Sequence, residues 1–409
     1  MRRKTALISG AGVAGPATAY WLNAAGWETT LVERAPAPRT GGYVLDFWGL
    51  GYDLAERMGL RGGLEALGYH ARELRVVGDR GQRVAGFGTR VFEELTGGRY
   101  VTLARSDLSR LILQAAAPAT ELLFGDEIVA LAPDPEGVSV DLASGARRRF
   151  DLVIGADGLH SQVRRLAFGP EAAFEKPLGY AVAAFEAPAY RPRDADVYLM
   201  YGQPGRMLGR FTLRDDRCLF LFVFAFEDEL PAEPEGQTRL LKSLYGRGGW
   251  ETDAILQRLD AAPDLYLDRV SQIVAPAWSE GRIALVGDAA FCVSLLAGQG
   301  SALAIVAAYV LAGEVSRNGD LTRGLVHYER RLRDFITGKQ AGAARLAGAF
   351  APQTRLGLWF RNRVIQSLAI PGVAKMVVGR EVLDRFALPD YALTTRDSRP
   401  GPRARQTSR

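Results

Sequence analysis

Apolar and polar positions alternate with different periods along the chain, and each change of period marks a new kind of element. Thr5-Ala6-Leu7-Ile8 is a continuous apolar run, the pattern of a strand buried on both faces. A glycine-rich turn follows, Gly10-Ala11-Gly12-Val13-Ala14-Gly15, then Pro16 and helix-forming residues to about Ala25. Pro16 suits the first turn of a helix, where its missing N–H has no partner to lose. Gly26 stops the helix, and Thr29-Thr30-Leu31-Val32-Glu33 reads as a second strand. Strand, turn, helix, strand is the opening of an open α/β sheet.

The pattern then loosens. Residues 34–50 form a loop rich in Pro and Gly, followed by a helix near 51–66 and an alternating stretch over 72–102 that predicts a small antiparallel ribbon. Ser106 caps a helix to about Ala116, and short strands follow near 120–124, 127–132, 137–142 and 150–155. From about 178 to 275 strands dominate: Gly179–Glu186, Asp196–Tyr201, Met207–Leu213, Cys218–Phe226 and Leu265–Ala275, with two helices between about 236 and 261. Arg282–Val286 is again a buried-strand pattern, and helices fill 299 to about 385. Phe291 to Gly313 carries no charge and is long enough to span a membrane. Gly298, Gln299 and Gly300 interrupt it, so the expectation is a loop and then a buried helix from about 299 to 316, with no membrane span.

Composition narrows the class. Of 409 residues, 48% are apolar and 24% charged, ordinary for a soluble globular chain and enough for two domains. The formal charge of +5 sits at the ends, on Arg2, Arg3 and Lys4 and on Arg396, Arg399, Arg403, Arg405 and Arg409. The body is close to neutral, which argues against a nucleic-acid partner. The tail is Pro-, Arg- and Ser-rich and reads as disordered. Cys218 and Cys292 fit no disulfide or metal spacing, and with only His70, His160 and His327 no metal site is expected. A cytoplasmic setting follows, and the short, glycine-interrupted first apolar stretch lacks the pattern of a secretory leader.

Chemistry concentrates at three strand ends. Gly10-x-Gly12-x-x-Gly15 follows a strand, opens a helix and is trailed by Glu33 at the next strand end, the context that a dinucleotide fingerprint requires. Gly10 permits the tight turn, Gly12 lets backbone approach a pyrophosphate, and Gly15 lets helix and strand pack closely. The first turn of the helix, at Val13 and Ala14, offers free N–H groups to the anion. Glu33 accepts from a ribose 2′-hydroxyl and repels a 2′-phosphate, which suits FAD or NAD better than NADP; Arg34 adjoins it. Asp151-Leu-Val-Ile-Gly155-Ala-Asp157-Gly158 is the second strand-to-acid motif. Arg282-Ile-Ala-Leu-Val-Gly287-Asp288 is the third, followed by Gly298-Gln299-Gly300 at the head of the buried helix. Open α/β sheets bind ligands outside the carboxyl ends of their strands, so three such ends imply one polyol-bearing cofactor.

In these motifs the chain resembles the class A FAD-dependent monooxygenases, the aromatic hydroxylases of the p-hydroxybenzoate hydroxylase fold, near the tetracycline-inactivating and polyketide-tailoring members. The resemblance covers about residues 4–390. It implies an α/β fold: a Rossmann-like FAD-binding domain with an inserted, mostly antiparallel substrate sheet and C-terminal helices. The expected FAD-binding domain is 1–72 with 98–178 and 276–318. The substrate sheet is 73–97 with 179–275, the helical segment 319–390, and the tail 391–409.

The resemblance also implies roles. Gly10, Gly12 and Gly15 match the pyrophosphate loop, Glu33 the adenosine-ribose acceptor, and Arg105 the FAD-contacting arginine. Asp157-Gly158 matches a motif that serves both FAD and reduced nicotinamide, and Asp288 matches the ribityl contact. Gly298-Gln299-Gly300 lies beside the pyrimidine end of the flavin, and the loop 39–49, with Asp46, flanks its ring system. NADPH or NADH would reduce FAD, and O2 would add as a flavin C4a-hydroperoxide that hydroxylates, cleaves or expands a hydrophobic aromatic or polyketide-like substrate. No second Rossmann unit exists for the nicotinamide. A monomer or homodimer is expected. Two positions depart from the family pattern: Phe291 stands where a histidine is common, and Leu295 where a proline is common. Both bear on the hydroperoxide step, not on the FAD fold. With Asp46 and Gly298 they are the flavin-proximal candidates. Phe220, Phe222, Phe224 and Phe226 share one side of a strand and either line a substrate pocket or form ordinary core. Tyr201, Arg210, Phe211 and Trp359 are further lining candidates. An FAD oxidase or dehydrogenase, and a flavoprotein that only sequesters its ligand, would use the same fold.

Overall fold

The computed structural model describes residues 2–38, 41, 43–192, 194–262, 264–317, 319–370, 372–373 and 384–393. Arg39, Thr40 and Gly42 of the expected ring-flanking loop, 374–383 of the helical segment and the tail from Thr394 lie outside the described residues.

The continuous apolar runs build a six-stranded sheet in the order Ser279–Glu280, Ile283–Leu285, Leu152–Gly155, Thr5–Ser9, Glu28–Glu33, Thr120–Phe124. Every pairing is parallel except the edge hairpin of Ser279–Glu280. Leu7, Ile8, Val153, Ile154 and Leu285 are fully buried, as a sheet covered on both faces requires. Each such side chain stabilises the fold by roughly 1.5–3 kcal/mol over an exposed one.

Parallel pairing puts all the strand C-termini on one edge. The helix Gly300–Arg317 packs beneath that edge against the helices Ala14–Ala24 and Gly49–Arg57. It is long and apolar enough to cross a membrane, yet it is mostly buried inside the molecule. Its alanines allow close approach: a methyl on Gly51 would overlap the Ala302 backbone at 2.5 Å.

A second, seven-stranded sheet runs Tyr266–Ile273, Glu175–Pro188, Arg217–Ala225, Arg206–Thr212, Val197–Gln203, Glu73–Val77, Arg83–Gly88. It is antiparallel apart from the pair Val197–Gln203 and Glu73–Val77. The expected ribbon over 72–102 is therefore only partly correct. Arg90–Thr96 is a helix, and Tyr100–Ala104 pairs with Val44–Trp48 instead. Gly97, left-handed at φ 61°, ends that helix and reverses the chain.

The two sides of the seven-stranded sheet differ. One side, with Ala181, Ala183, Phe185, Leu199, Phe220, Phe222 and Phe224, packs on the helices Pro234–Tyr245 and Thr252–Leu259. The other side carries Tyr198, Met200, Met207, Phe211, Leu221, Val223 and Tyr266 and meets Tyr43, Val44, Leu295 and Leu296. That second meeting is the seam between the seven-stranded sheet and the segments around Val44 and Leu295.

Candidate cofactor and substrate site

The glycine loop is held by backbone, which explains its spacing. Gly10 has φ 104° and donates its N–H to Val32 at 2.8 Å, and a methyl there would lie 2.6 Å from the Ala156 carbonyl oxygen. A methyl on Gly15 would overlap the carbonyl oxygen of Gly10, so both positions exclude a Cβ for packing reasons. Gly12 differs. The nearest atom to a methyl there is the Arg105 guanidinium at 3.7 Å, so this glycine faces an open space with a cation on its far side. Val13 and Ala14 are buried at the head of the helix.

Glu33 holds the loop. Its Oε2 accepts from Ala11 N–H at 2.8 Å and its Oε1 from Ala35 N–H at 2.9 Å. Each oxygen keeps a lone pair for a hydroxyl. Arg34 is exposed.

Arg105 is half-buried at the head of the helix Arg105–Ala116, and its guanidinium has no hydrogen bond or ion pair among the described residues. Tyr43 lies 6.0 Å away and Asp288 is close enough to feel its charge. Burial raises the Asp288 carboxyl above the usual range, and Arg105 opposes that shift. A methyl on Gly300 would sit 3.4 Å from Asp288 Oδ1, which places the carboxylate at the start of the helix Gly300–Arg317. Gly287 is left-handed at φ 65° between Ala14 and Ala304, leaving no room for a side chain. An unpaired guanidinium, an open glycine cradle, a helix N-terminus and two carboxylates with free lone pairs fit a dinucleotide with a pyrophosphate and a polyol.

Asp157 is engaged within the chain. Its carboxylate accepts from Ser161 Oγ at 2.5 Å, Gln162 N–H at 2.9 Å and Val163 N–H at 3.1 Å, capping the helix Gln162–Ala167. Gly158, at φ 84°, turns the chain toward His160. His160 bridges Glu171 at 2.9 Å and Asp268 at 3.2 Å, and its bond to Asp268 pushes its pKa up to about 9.

Four of the expected substrate residues lie on the helix-packed side of the seven-stranded sheet, away from the seam. Phe222 and Phe224 are fully buried against Tyr245. Tyr201 donates to Asp79 at 2.7 Å, and Arg210 is paired with Asp194 and Glu251 between Tyr190 and Trp250. The reason is register: residues alternate sides, and Arg210 stands opposite Phe220 and Leu199 on the side that the helices cover. Phe211 occupies the seam side, stacked on Tyr198 at 4.4 Å. Phe291 is also away from the seam, buried against Trp278 at 4.6 Å. Leu295 faces the seam beside Met200 and Tyr266, just after Ser294, whose φ of 139° is rare for a residue with a side chain. Trp359 is exposed.

Asp46 lines a cleft with Trp48, Gly298, Gln299 and Asp384. Its Oδ1 accepts from Thr102 at 2.6 Å, Tyr100 at 2.7 Å and Tyr198 at 3.1 Å. Tyr100, Thr102 and Tyr198 are absent from the expected site. The only signal in the sequence is a run of hydroxyl-bearing residues without a motif.

The chain is similar to several known proteins. A family described as "FAD binding domain" matches residues 3–319. An uncharacterized protein of Mycobacterium tuberculosis (strain H37Rv) is 39% identical over 351 residues, covering 82% of this chain and 92% of that one. A flavin-dependent monooxygenase of Legionella longbeachae is 33% identical over 353 residues, covering 82% and 86%. The crystal structure of the tetracycline destructase Tet(55) superposes with a TM-score of 0.82 at 27% identity, over 95% of this chain and 99% of that one.

Proposed function

This chain belongs to the FAD-dependent monooxygenase family, and on that premise we propose that it uses NADPH or NADH and O2 to oxygenate a hydrophobic, hydroxyl-bearing polycyclic aromatic or polyketide-like molecule. The observation that carries the substrate class is the seam. Met200 and Leu221, half-buried over Phe211 and Val223, offer an apolar wall, and Tyr43, Tyr198 and Tyr266 place hydroxyls on its border. Such a surface suits a flat, largely apolar ligand with a few polar groups. The likeness to a tetracycline destructase supports the same class.

In this reading Gly10, Gly12, Gly15 and Arg105 hold the pyrophosphate, Glu33 the adenosine ribose, and Asp288 the ribityl chain. Bound FAD supplies the redox chemistry, taking two electrons from the nicotinamide and passing one atom of O2 to the substrate. The protein orients the substrate against the seam and excludes water from it. Residues 1–72, 98–178 and 276–318 act as the cofactor unit and 73–97 with 179–275 as the substrate unit, in a cytoplasmic monomer or homodimer.

The test is the absorbance spectrum of the purified protein, then NADPH oxidation in air with and without polycyclic phenols. Bound flavin, stimulated oxidation and one added oxygen from O2 in the product are expected. Reduction of FAD by substrate without oxygen incorporation would instead make the protein an oxidase or dehydrogenase.

A further inference from the structure

We propose that the outer face of the helix Arg355–Ser367 docks the protein on an anionic lipid surface. The inference concerns binding to a bilayer and stands apart from the oxygenation chemistry.

The inner face of this helix is fixed by the substrate sheet. Gly202 shares the seam side with Met200, two positions earlier on the same strand. A methyl on Gly202 would meet the Arg361 guanidinium at 2.8 Å and Leu358 at 3.2 Å. Arg361 is buried and donates to the Phe350 carbonyl at 3.0 Å. Just before the helix, the Pro352 carbonyl accepts from Gly205 N–H at 2.9 Å. With Leu358 and Arg361 turned inward, the opposite face looks outward.

That outward face is apolar. Leu356, Trp359, Phe360 and Arg363 follow one another at i, i+3, i+4 and i+7, a single stripe of a helix, and Ile370 stands beyond its end. Leu356 is 74% exposed, Phe360 63%, Ile370 56% and Trp359 55%. Single exposed apolar side chains are ordinary, but four large ones grouped on one element mark an interaction surface.

Charge selects the partner. From Phe335 to Arg380 the sequence holds seven Lys or Arg residues and no Asp or Glu, in a chain whose body is otherwise close to neutral. Arg355 and Arg363 are exposed beside the apolar stripe and have no ion pair among the described residues. Arg363 lies over the Trp359 ring at 5.4 Å. Large rings and aliphatic chains bordered by guanidinium groups match a bilayer interface, where the apolar groups enter the acyl boundary and the cations meet phosphate. A second copy of the same face would set like charges against each other. On the proposed substrate class, the same bilayer dissolves the molecule that the seam accepts.

The experiment uses the full-length, FAD-loaded protein and vesicles of phosphatidylcholine with and without about one third phosphatidylglycerol. Wild type should sediment with the anionic vesicles, and raising salt from about 0.1 M to about 1 M should release most of it. Trp359→Ser with Phe360→Ser should weaken binding at least about 10-fold. Arg355→Gln with Arg363→Gln should weaken it by about 10-fold on anionic vesicles. All four residues are exposed, so flavin absorbance and melting of both variants should match wild type. Of the six tryptophans, Trp359 alone is exposed, so brominated lipid should quench wild-type emission and lose most of that effect in Trp359→Phe. Wild type that ignores anionic vesicles would overturn the proposal. Binding that survives both double variants would belong to another part of the chain, such as the arginine-rich tail, and would overturn it too. So would a Trp359 already shielded from acrylamide without vesicles: a dimer that Trp359→Ser with Phe360→Ser dissociates would name a second copy as the occupant, and a shielded monomer would name residues 374–383.

Discussion

The two sides of the seven-stranded sheet share the same strands and almost the same hydrophobicity, yet they do opposite work. On the helix-packed side the charged and hydroxyl groups bond within the protein: Arg210 with Asp194 and Glu251, Tyr201 with Asp79, and Tyr245 with the Met207 and Val223 carbonyls. On the seam side Tyr43, Tyr198 and Tyr266 are half-buried, and nearby Arg105 has no hydrogen bond or salt bridge among the described residues. A side closed by packed helices is core, and a side that meets its neighbours across half-buried hydroxyls suits a ligand.

The largest test of that contrast is Phe222→Ala. It removes a fully buried ring packed on Phe185 and Tyr245, so stability should fall by about 3–5 kcal/mol with FAD affinity of the folded protein unchanged. Thermal melting and a flavin titration measure the two. A change in substrate KM without a loss of stability would return Phe222 to the pocket.

Arg210→Met comes next. It leaves Glu251 without its cation and Asp194 with Arg75 alone, at a cost of about 3 kcal/mol in denaturant unfolding, again without effect on flavin. Arg105→Met inverts that pattern. With no hydrogen bond or salt bridge among the described residues to lose, the apoprotein should unfold at a nearly unchanged denaturant midpoint, while FAD binding weakens by about 2 kcal/mol, roughly 30-fold. An Arg105 variant that melts early yet binds flavin normally would break the comparison.

The smallest effect belongs to His160, which ties the 155–161 turn to the substrate sheet through Asp268. Its folded pKa of about 9 lies above the unfolded value near 6.5, so the folded state binds the proton more tightly. The stabilisation is complete below about pH 6.5 and disappears as pH rises through about 9. His160 is more than half exposed, so screening holds the effect under about 1 kcal/mol. Melting of His160→Gln against wild type should differ at pH 6 and converge at pH 10.

What could be read from the chain follows a physical line. Gly10, Gly12, Gly15 and Glu33 lie within one strand-turn-helix-strand unit, where spacing alone fixes which backbone meets which, and the α/β fold follows from them. Asp288 was legible because a buried strand delivers it to the same edge. Period-two patterning, by contrast, says that Phe220, Phe222 and Phe224 share a side but not which side faces a ligand. That is decided by the helices Pro234–Tyr245 and Thr252–Leu259, which come later in the chain. The cap that Asp157 makes depends on Ser161, Gln162 and Val163 folding back onto its carboxylate. The hydroxyls around Asp46 come from 54, 56 and 152 residues away, a distance over which no local pattern carries information.

The lone guanidinium of Arg105 has a consequence beyond the site. A folded chain that keeps a half-buried cation with no hydrogen bond or salt bridge among the described residues is a lock waiting for its key, and an anionic cofactor would contribute stability that the polypeptide does not supply by itself. At a free FAD concentration of 100 times Kd, mass action would add about 2.7 kcal/mol to the folded state. Chains made when flavin is scarce would then be cleared faster than those made when it is plentiful. The amount of this protein in a cell would follow vitamin supply as well as transcription.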